Sequence, residues 1–192
     1  WATGFQFGDW LDPAAPAENA SGGKTDKHLV ATAFFAVVAR EMAATARILG
    51  NEDDAAEFGA LADRVRAGFR HEYVAPSGRM VSESATAYAL AVVFDLLTES
   101  EEKRAGERLA ALVAAAGYRI STGFAGTPHV AHALTRTGHF EEAYLMLLQR
   151  ECPSFLYPVT MGATTIWERW DSIRPDGTLN STGMTSLNHY AL

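Results

Sequence analysis

The chain has 192 residues, 48% of them hydrophobic, with a formal net charge of −7, and its pI is about 5.3. That is enough apolar material for the core of one ordinary domain, and an acidic protein is a poor partner for nucleic acid or an anionic membrane surface. The lone cysteine, Cys152, rules out a disulfide framework and a cysteine metal cluster, and the sequence reads as having neither a signal peptide nor an apolar run long enough to span a bilayer.

The first 23 residues read as a loop. Trp1, Phe5, Phe7 and Trp10 lie among glycines, followed by Asp12-Pro13-Ala14-Ala15-Pro16 and Ser21-Gly22-Gly23. A loop of this length is functional or disordered; its aromatic half points to function and its Ala/Pro/Gly half to flexibility. Thr25 is the expected cap of a first helix carrying Leu29, Ala33, Ala36, Val37, Arg40 and Ala44 and ending at Gly50. A second helix from about Glu52 puts Phe58, Leu61, Val65 and Phe69 on one stripe, so the two make an antiparallel hairpin. After a turn at Pro76-Ser77-Gly78, a helix from about Ser84 carries Tyr88, Leu90, Val93, Leu96 and Leu97. Thr98 and Glu101 then have capping-box spacing ahead of Leu109, Leu112 and Val113, a second hairpin. Ile120 to Pro128 is a Gly/Ser/Thr loop. Thr127-Pro128 starts a short helix ending near Gly138, since proline suits a first turn, and His139 opens another with Phe140, Tyr144, Leu147 and Leu148 on its face.

The remainder, from Cys152, is irregular, with turns at Pro153-Ser154 and Asp176-Gly177; Thr185 or Ser186 is the expected cap of a last helix. Within it, Gly162-Ala163-Thr164-Thr165-Ile166-Trp167-Glu168-Arg169-Trp170-Asp171 is the segment richest in chemistry. As a helix it aligns Thr164, Glu168 and Asp171; as a strand, Ile166, Glu168 and Trp170. Helix is the preferred reading. An acid beside indoles suits a sugar site, because pyranose C–H faces stack on aromatic rings and apolar shielding tunes a carboxylate for proton transfer. The competing reading is a satisfied Glu–Arg pair beside two core tryptophans. All four tryptophans lie outside the predicted helices, which favours a binding surface built from loops.

Other candidates are weaker. His129 and His132 share a helix face at metal-ligand spacing, but no acidic or Cys partners cluster near them in sequence, so packing is the preferred reading. His189 sits in a polar aromatic patch with Asn188 and Tyr190. Glu99-Glu101-Glu102 reads as a solvated helix start favoured by the dipole. Cys152 reads as an inert packing residue, and no Gly-x-Ser-x-Gly elbow is present.

The segments Ser154-Phe155-Leu156-Tyr157-Pro158-Val159 and Gly162 to Asp171 resemble the bacterial α-L-rhamnosidases of glycoside hydrolase family 78. So do Phe7-Gly8-Asp9-Trp10-Leu11, Thr122-Gly123-Phe124-Ala125-Gly126-Thr127-Pro128 and Met184-Thr185-Ser186-Leu187-Asn188-His189-Tyr190-Ala191. The resemblance implies an all-α fold, part of an (α/α)6 barrel or α/α toroid, with the active site at the loop end. It implies an inverting mechanism that uses no metal or cofactor, on a rhamnose-containing glycoside. Glu168 matches the general base, His189 a sugar contact and Trp10 a wall of the rhamnose pocket, with Asp9, Trp167 and Asp171 as supporting residues. The two carboxyl groups of such a mechanism lie roughly 6.5–9.5 Å apart.

The family's general acid belongs to an acidic segment that has no counterpart in this sequence. Residues 1–192 are therefore expected to be the C-terminal half of one barrel domain, a poor enzyme alone, with unpartnered helix faces that favour marginal stability or homo-oligomerisation. Ala85 stands where the family pattern has Gln, and Phe155 where it has Trp. Two rival readings stay open: a non-catalytic carbohydrate-binding or helical interaction module, and another (α/α)6 glycosidase or phosphorylase of different sugar preference.

Overall fold

The computed structural model describes residues 3–180 and 184–189; Trp1 of the aromatic loop and Tyr190 and Ala191 of the last motif lie outside them. The chain folds as helical hairpins in series: α1 (Lys27–Ile48) with α2 (Glu52–Tyr73), α3 (Ala85–Val93) with α4 (Glu99–Ala115), and α5 (Thr127–Arg136) with α6 (Phe140–Leu148), followed by a single turn, α7 (Tyr157–Thr160). Among the described residues there is no strand; isolated bridges between Val74 and Met80 and between Ile173 and Leu179 close two turns.

Helix α3 is the centre. Its sequence, Ala-Thr-Ala-Tyr-Ala-Leu-Ala-Val-Val, is apolar nearly all round, and every residue from Ala85 to Val92 is buried, as expected of a helix packed on several sides. It touches α1, α4 and α5. Alternating alanines let those neighbours approach closely, while Leu90, Val92 and Tyr88 fill the gaps. The buried Tyr88 hydroxyl accepts from the Met80 N–H and donates to Glu83, which satisfies its polar end.

Several sequence expectations are corrected by packing and capping. The first helix is capped by Asp26, whose Oδ1 accepts from His28 and Leu29 N–H at 2.8 and 2.9 Å; a carboxylate is the stronger cap at the positive helix end. Thr25 instead shares a 2.7 Å hydroxyl hydrogen bond with Ser84, joining the starts of α1 and α3. Helix α3 stops at Val93 because Asp95 turns the chain with φ 58°, leaving Leu96 and Leu97 in the turn, still buried. On α6 the packed face is Ala143 and Met146, whereas Phe140, Tyr144, Leu147 and Leu148 are exposed. The small Ala143 lets α6 approach α5, while the larger apolar residues are left facing solvent.

Helix α1 is, contrary to expectation, long and apolar enough to cross a membrane by length and composition. Its Leu29, Ala33, Ala36, Ala39, Ala43 and Ala46 are buried, however, so one face of the helix packs inside the protein. The stretch Gly162–Asp171 is neither helix nor strand, and Thr185 and Ser186 cap no helix among the described residues. Two backbone bonds join these segments across the chain, Glu168 N–H to the Ser186 carbonyl and His189 N–H to the Ile166 carbonyl, each at 2.8 Å.

Helices α1, α3 and α5 start at one end of the molecule. At the other end Arg40 reaches Asp95 at 2.9 Å, and Arg136 bridges Asp95 at 2.6 Å and Glu102 at 2.8 Å. These groups are half-exposed, so the network contributes orientation more than energy.

The predicted capping box at the head of α4 is present in full. Glu101 accepts from the Thr98 N–H at 2.8 Å and takes the Arg70 guanidinium of α2 side-on, both bonds 3.1 Å. Burial alone would push this carboxyl up, but the Arg70 charge and the Thr98 hydrogen bonds outweigh it and hold Glu101 at about 2. A folded value below the ordinary one of about 4.3 stabilises the fold fully above that pH and loses its effect as pH falls toward 2. Glu101→Gln is expected to cost about 0.5–1 kcal/mol at neutral pH and to flatten the acid side of the stability curve, read from circular-dichroism melts between pH 5 and pH 2.

Candidate functional site at the loop end

The loops gather where α1, α3 and α5 begin. The first, carrying Asp9 and Trp10, is a turn closed by Asp12 N–H donating to the Asp9 carbonyl at 3.1 Å, with Leu11 at φ 61°. Its Ala/Pro/Gly half, expected to be flexible, is tied down. Asp12 is buried and accepts from Ala14 and Lys24 N–H at 2.8 and 2.9 Å, and Leu11 N–H donates to the Ala20 carbonyl. Aspartate bonding its own following backbone is a strong local turn former.

Asp9 is 1% exposed. Its carboxylate accepts from Gly123 N–H and Gly126 N–H, both at 2.9 Å, and from the Thr86 hydroxyl on α3. Burial raises its pKa, and these three hydrogen bonds work against that rise. Trp10, partly exposed, accepts the Phe124 N–H on its carbonyl at 2.9 Å, and its ring ends an edge-to-face ladder with Phe7 and Phe5.

On the other side, Glu168 is half-buried, and its Oε2 accepts from Ser186 N–H at 2.9 Å. Arg169 does not make the pair with Glu168 on which the competing reading rested. Its Nε donates to Asp171 at 2.9 Å, and no salt bridge to Glu168 is found among the described residues. Asp171 also accepts from the Asn180 amide at 2.9 Å, so it braces this segment. Trp167 is buried at 3% exposure, edge-on to Tyr157, and Trp170 packs edge-on to Phe155 against the core. Trp167 supports the segment from behind, whereas Trp170 combines core packing with a place in the cleft wall. His189 is stacked on Phe124, ring centroids 5.4 Å apart and planes 19° from parallel.

A narrow cleft runs between the two sides, lined by Leu11, Gly123, Phe124, Glu168, Trp170 and Asp171. Of the residues singled out in the sequence, Glu168 and Asp171 line it directly, and His189 and Trp10 adjoin it through Phe124. Asp9 and Trp167 stand behind it. Phe124 is the participant that residue-level reading passed over; an aromatic inside a Gly/Ser/Thr loop was the available signal. The cleft is tight, about 10 Å³, room for little more than one water molecule, and a half-buried carboxylate oriented there by a backbone N–H can accept a proton from water.

Elsewhere, His129 packs edge-on against Phe94, and burial pushes its pKa down. Burial, aided by the Asp171 charge, pushes the Cys152 thiol up to about 11, so it stays protonated and unreactive at neutral pH. Among the described residues no group of three or more His, Cys, Asp or Glu side chains is placed to hold a metal.

Residues 1–192 match the family model described as the bacterial alpha-L-rhamnosidase 6 hairpin glycosidase domain. Similar proteins include an alpha-L-rhamnosidase of Streptomyces avermitilis, 42% identical over 185 residues, and one of Formosa agariphila, 38% identical over 187. Each alignment covers 96% of this chain but only 17% and 20% of the relative, so the chain spans about a fifth of the length of the curated relatives it matches. Among solved structures, native α-L-rhamnosidase from Aspergillus terreus superposes with a TM-score of 0.94 at 37% identity, covering 98% of this chain and 22% of that one. The Streptomyces avermitilis enzyme, solved with L-rhamnose, gives 0.86 at 42% identity, covering 96% and 17%.

The tightest backbone approach in the site is at Gly123, where an added Cβ would lie 2.2 Å from the Trp10 carbonyl oxygen and 2.5 Å from that of Asp9. Gly123→Ala must push the two loops apart, at an expected cost of about 1–3 kcal/mol, with faster proteolytic cleavage between residues 8 and 24. Gly59 of α2 faces open space, so Gly59→Ala should stabilise by roughly 0.5–1 kcal/mol. Equal melting shifts for the two variants would refute the close-approach argument.

Proposed function

The chain belongs to the six-hairpin glycosidase domain family of the bacterial α-L-rhamnosidases, and on that premise we propose that the protein carrying it hydrolyses terminal α-L-rhamnosyl residues of glycosides or polysaccharides. Hydrolysis is by inversion, with Glu168 as general base. The observation that carries this reading is the Glu168 carboxylate itself, half-buried at the cleft and oriented through Oε2 by the Ser186 N–H.

In this reading a water molecule gives a proton to Glu168 and attacks the anomeric carbon from the face opposite the aglycone. The C–O bond to the aglycone breaks, and its electron pair leaves on the glycosidic oxygen, which takes a proton from a carboxylic acid. The geometry such a step needs is roughly 6.5–9.5 Å between the two carboxyl groups, enough for the intervening water. Backbone anchoring of Glu168 favours the step because a fixed base loses little entropy in the transition state. Trp10 walls the rhamnose ring and His189 contacts its hydroxyls. Asp171 pairs with Arg169, and among the described residues no salt bridge joins Arg169 to Glu168.

The three hairpins make up half of a six-hairpin toroid, and we assign the acid to the other half. Activity is therefore a property of the complete domain, and the isolated chain is expected to turn over poorly.

With the complete protein and an aryl α-L-rhamnoside, proton NMR should show the β-anomer of rhamnose released first; initial release of the α-anomer would exclude inversion. Glu168→Gln should lower kcat by about 10²–10⁴ while rhamnose binding is largely kept. Wild-type turnover in that variant would remove Glu168 from the mechanism, and rhamnose binding without any turnover in the native protein would favour a binding module. Aryl glucoside and aryl mannoside serve as controls for sugar preference.

A further inference from the structure

The function just proposed assigns Asp9 no defined job, yet its surroundings are the most constrained at the site. At 1% exposure, with both carboxylate oxygens already taken by donors, it has no free face to offer a sugar. Nor is it only the cap of α5. One of its donors, Gly126, is the N-cap of that helix, but the second, Gly123, lies three residues earlier, and the third, Thr86, belongs to the preceding hairpin. The carboxylate therefore joins three separate segments: the turn that presents Trp10, the loop that presents Phe124, and α3.

There is no slack around this junction. Besides the backbone contact at Gly123, a Cβ at Gly126 would lie 2.2 Å from the Thr86 hydroxyl oxygen. Phe124 is then bonded through its N–H to the Trp10 carbonyl and stacked on His189. His189 in turn holds the Ile166 carbonyl, two residues from Glu168. Any change in how the first two loops sit must move Trp10 relative to Phe124, and His189 with it.

We propose that Asp9 is a positioning residue of the rhamnose site: its buried carboxylate sets the separation between the Trp10 wall and the Phe124–His189 face without touching the sugar. This inference rests on the functional reading above. It requires the carboxylate specifically, because two fixed backbone N–H donors approach different oxygens. Asparagine offers a single acceptor oxygen, so its NH₂ must face either the Gly123 or the Gly126 N–H, leaving one buried donor unmatched.

The test uses the complete protein with 4-nitrophenyl α-L-rhamnoside, comparing wild type, Asp9→Asn and Thr86→Val. In folded Asp9→Asn, kcat/KM is expected to fall about ten- to a hundredfold, chiefly through KM, with both limbs of the pH–rate profile unmoved. Thr86→Val keeps the two backbone donors and should shift KM the same way by less; it decides the matter if Asp9→Asn does not fold. An unchanged KM in the folded variants would make Asp9 merely structural, and a displaced pH limb would make it a proton-transfer group; either overturns the proposal. A second readout does not depend on turnover. The His189 ring protons, stacked on Phe124, should lie upfield in wild type and lose that shift in Asp9→Asn. If the wild-type protein hydrolyses no rhamnoside, the functional reading fails by itself, while persistence of the ring-current shift in Asp9→Asn defeats the positioning role alone.

Discussion

A carboxylate removed from water must be met by donors, because an unmatched buried charge costs several kcal/mol. Asp9 is such a group, and the loop end of this molecule is arranged around meeting that requirement. Gly123 and Gly126 are the residues whose N–H groups can come close enough, since a side chain at either would strike backbone or α3. Thr86 supplies the third donor from the one helix that touches all three hairpins. The requirement is local, but its consequence is not. Satisfying Asp9 brings residues more than a hundred positions apart in sequence into contact and fixes the turn on which Trp10 is carried.

The two ends of the hairpin stack are held by different physics. At the loop end, short bonds to buried groups leave few alternative arrangements, and Leu11 is kept at φ 61° by its N–H bond to Ala20 and the turn closed between Asp9 and Asp12. A non-glycine residue in that region costs roughly 1–3 kcal/mol, which the surrounding bonds must offset. At the far end Asp95 also has a positive φ, 58°. Aspartate tolerates that conformation better than leucine, and its partners Arg40 and Arg136 are half-exposed arginines. That end can adjust and remain solvated. The less adjustable bonds thus lie at the end where Trp10, Phe124 and Glu168 gather.

Glu168 illustrates how an irregular segment can be as well positioned as a helix. Residues 166–168 bond across to residues 186–189 rather than along their own chain, and the segment rests on buried Trp167 and on Trp170 packed against Phe155. Arg169 is held by Asp171, itself braced by Asn180. The carboxylate is thereby carried on a braced backbone and held at Oε2 by the Ser186 N–H.

The sequence by itself determined the hairpin order and the starts of α2 to α6: Ser84, the Thr98–Glu101 box and Thr127-Pro128 act through bonds within a few residues, so local chemistry suffices to place them. It also made Glu168, Trp10 and His189 legible as candidates, through motif resemblance as much as through residue type. Tertiary structure alone decided the rest. Asp26 took the first cap because Thr25 was drawn to Ser84, fifty-nine residues away. Phe140, Tyr144, Leu147 and Leu148 fell on the outside of α6, since apolar periodicity identifies a stripe but not the neighbour it meets. Asp9, a supporting residue by resemblance, is a buried junction in the fold, and Phe124 is the partner of His189. Both depend on contacts between distant loops, and no local spacing encodes which loops will close on each other.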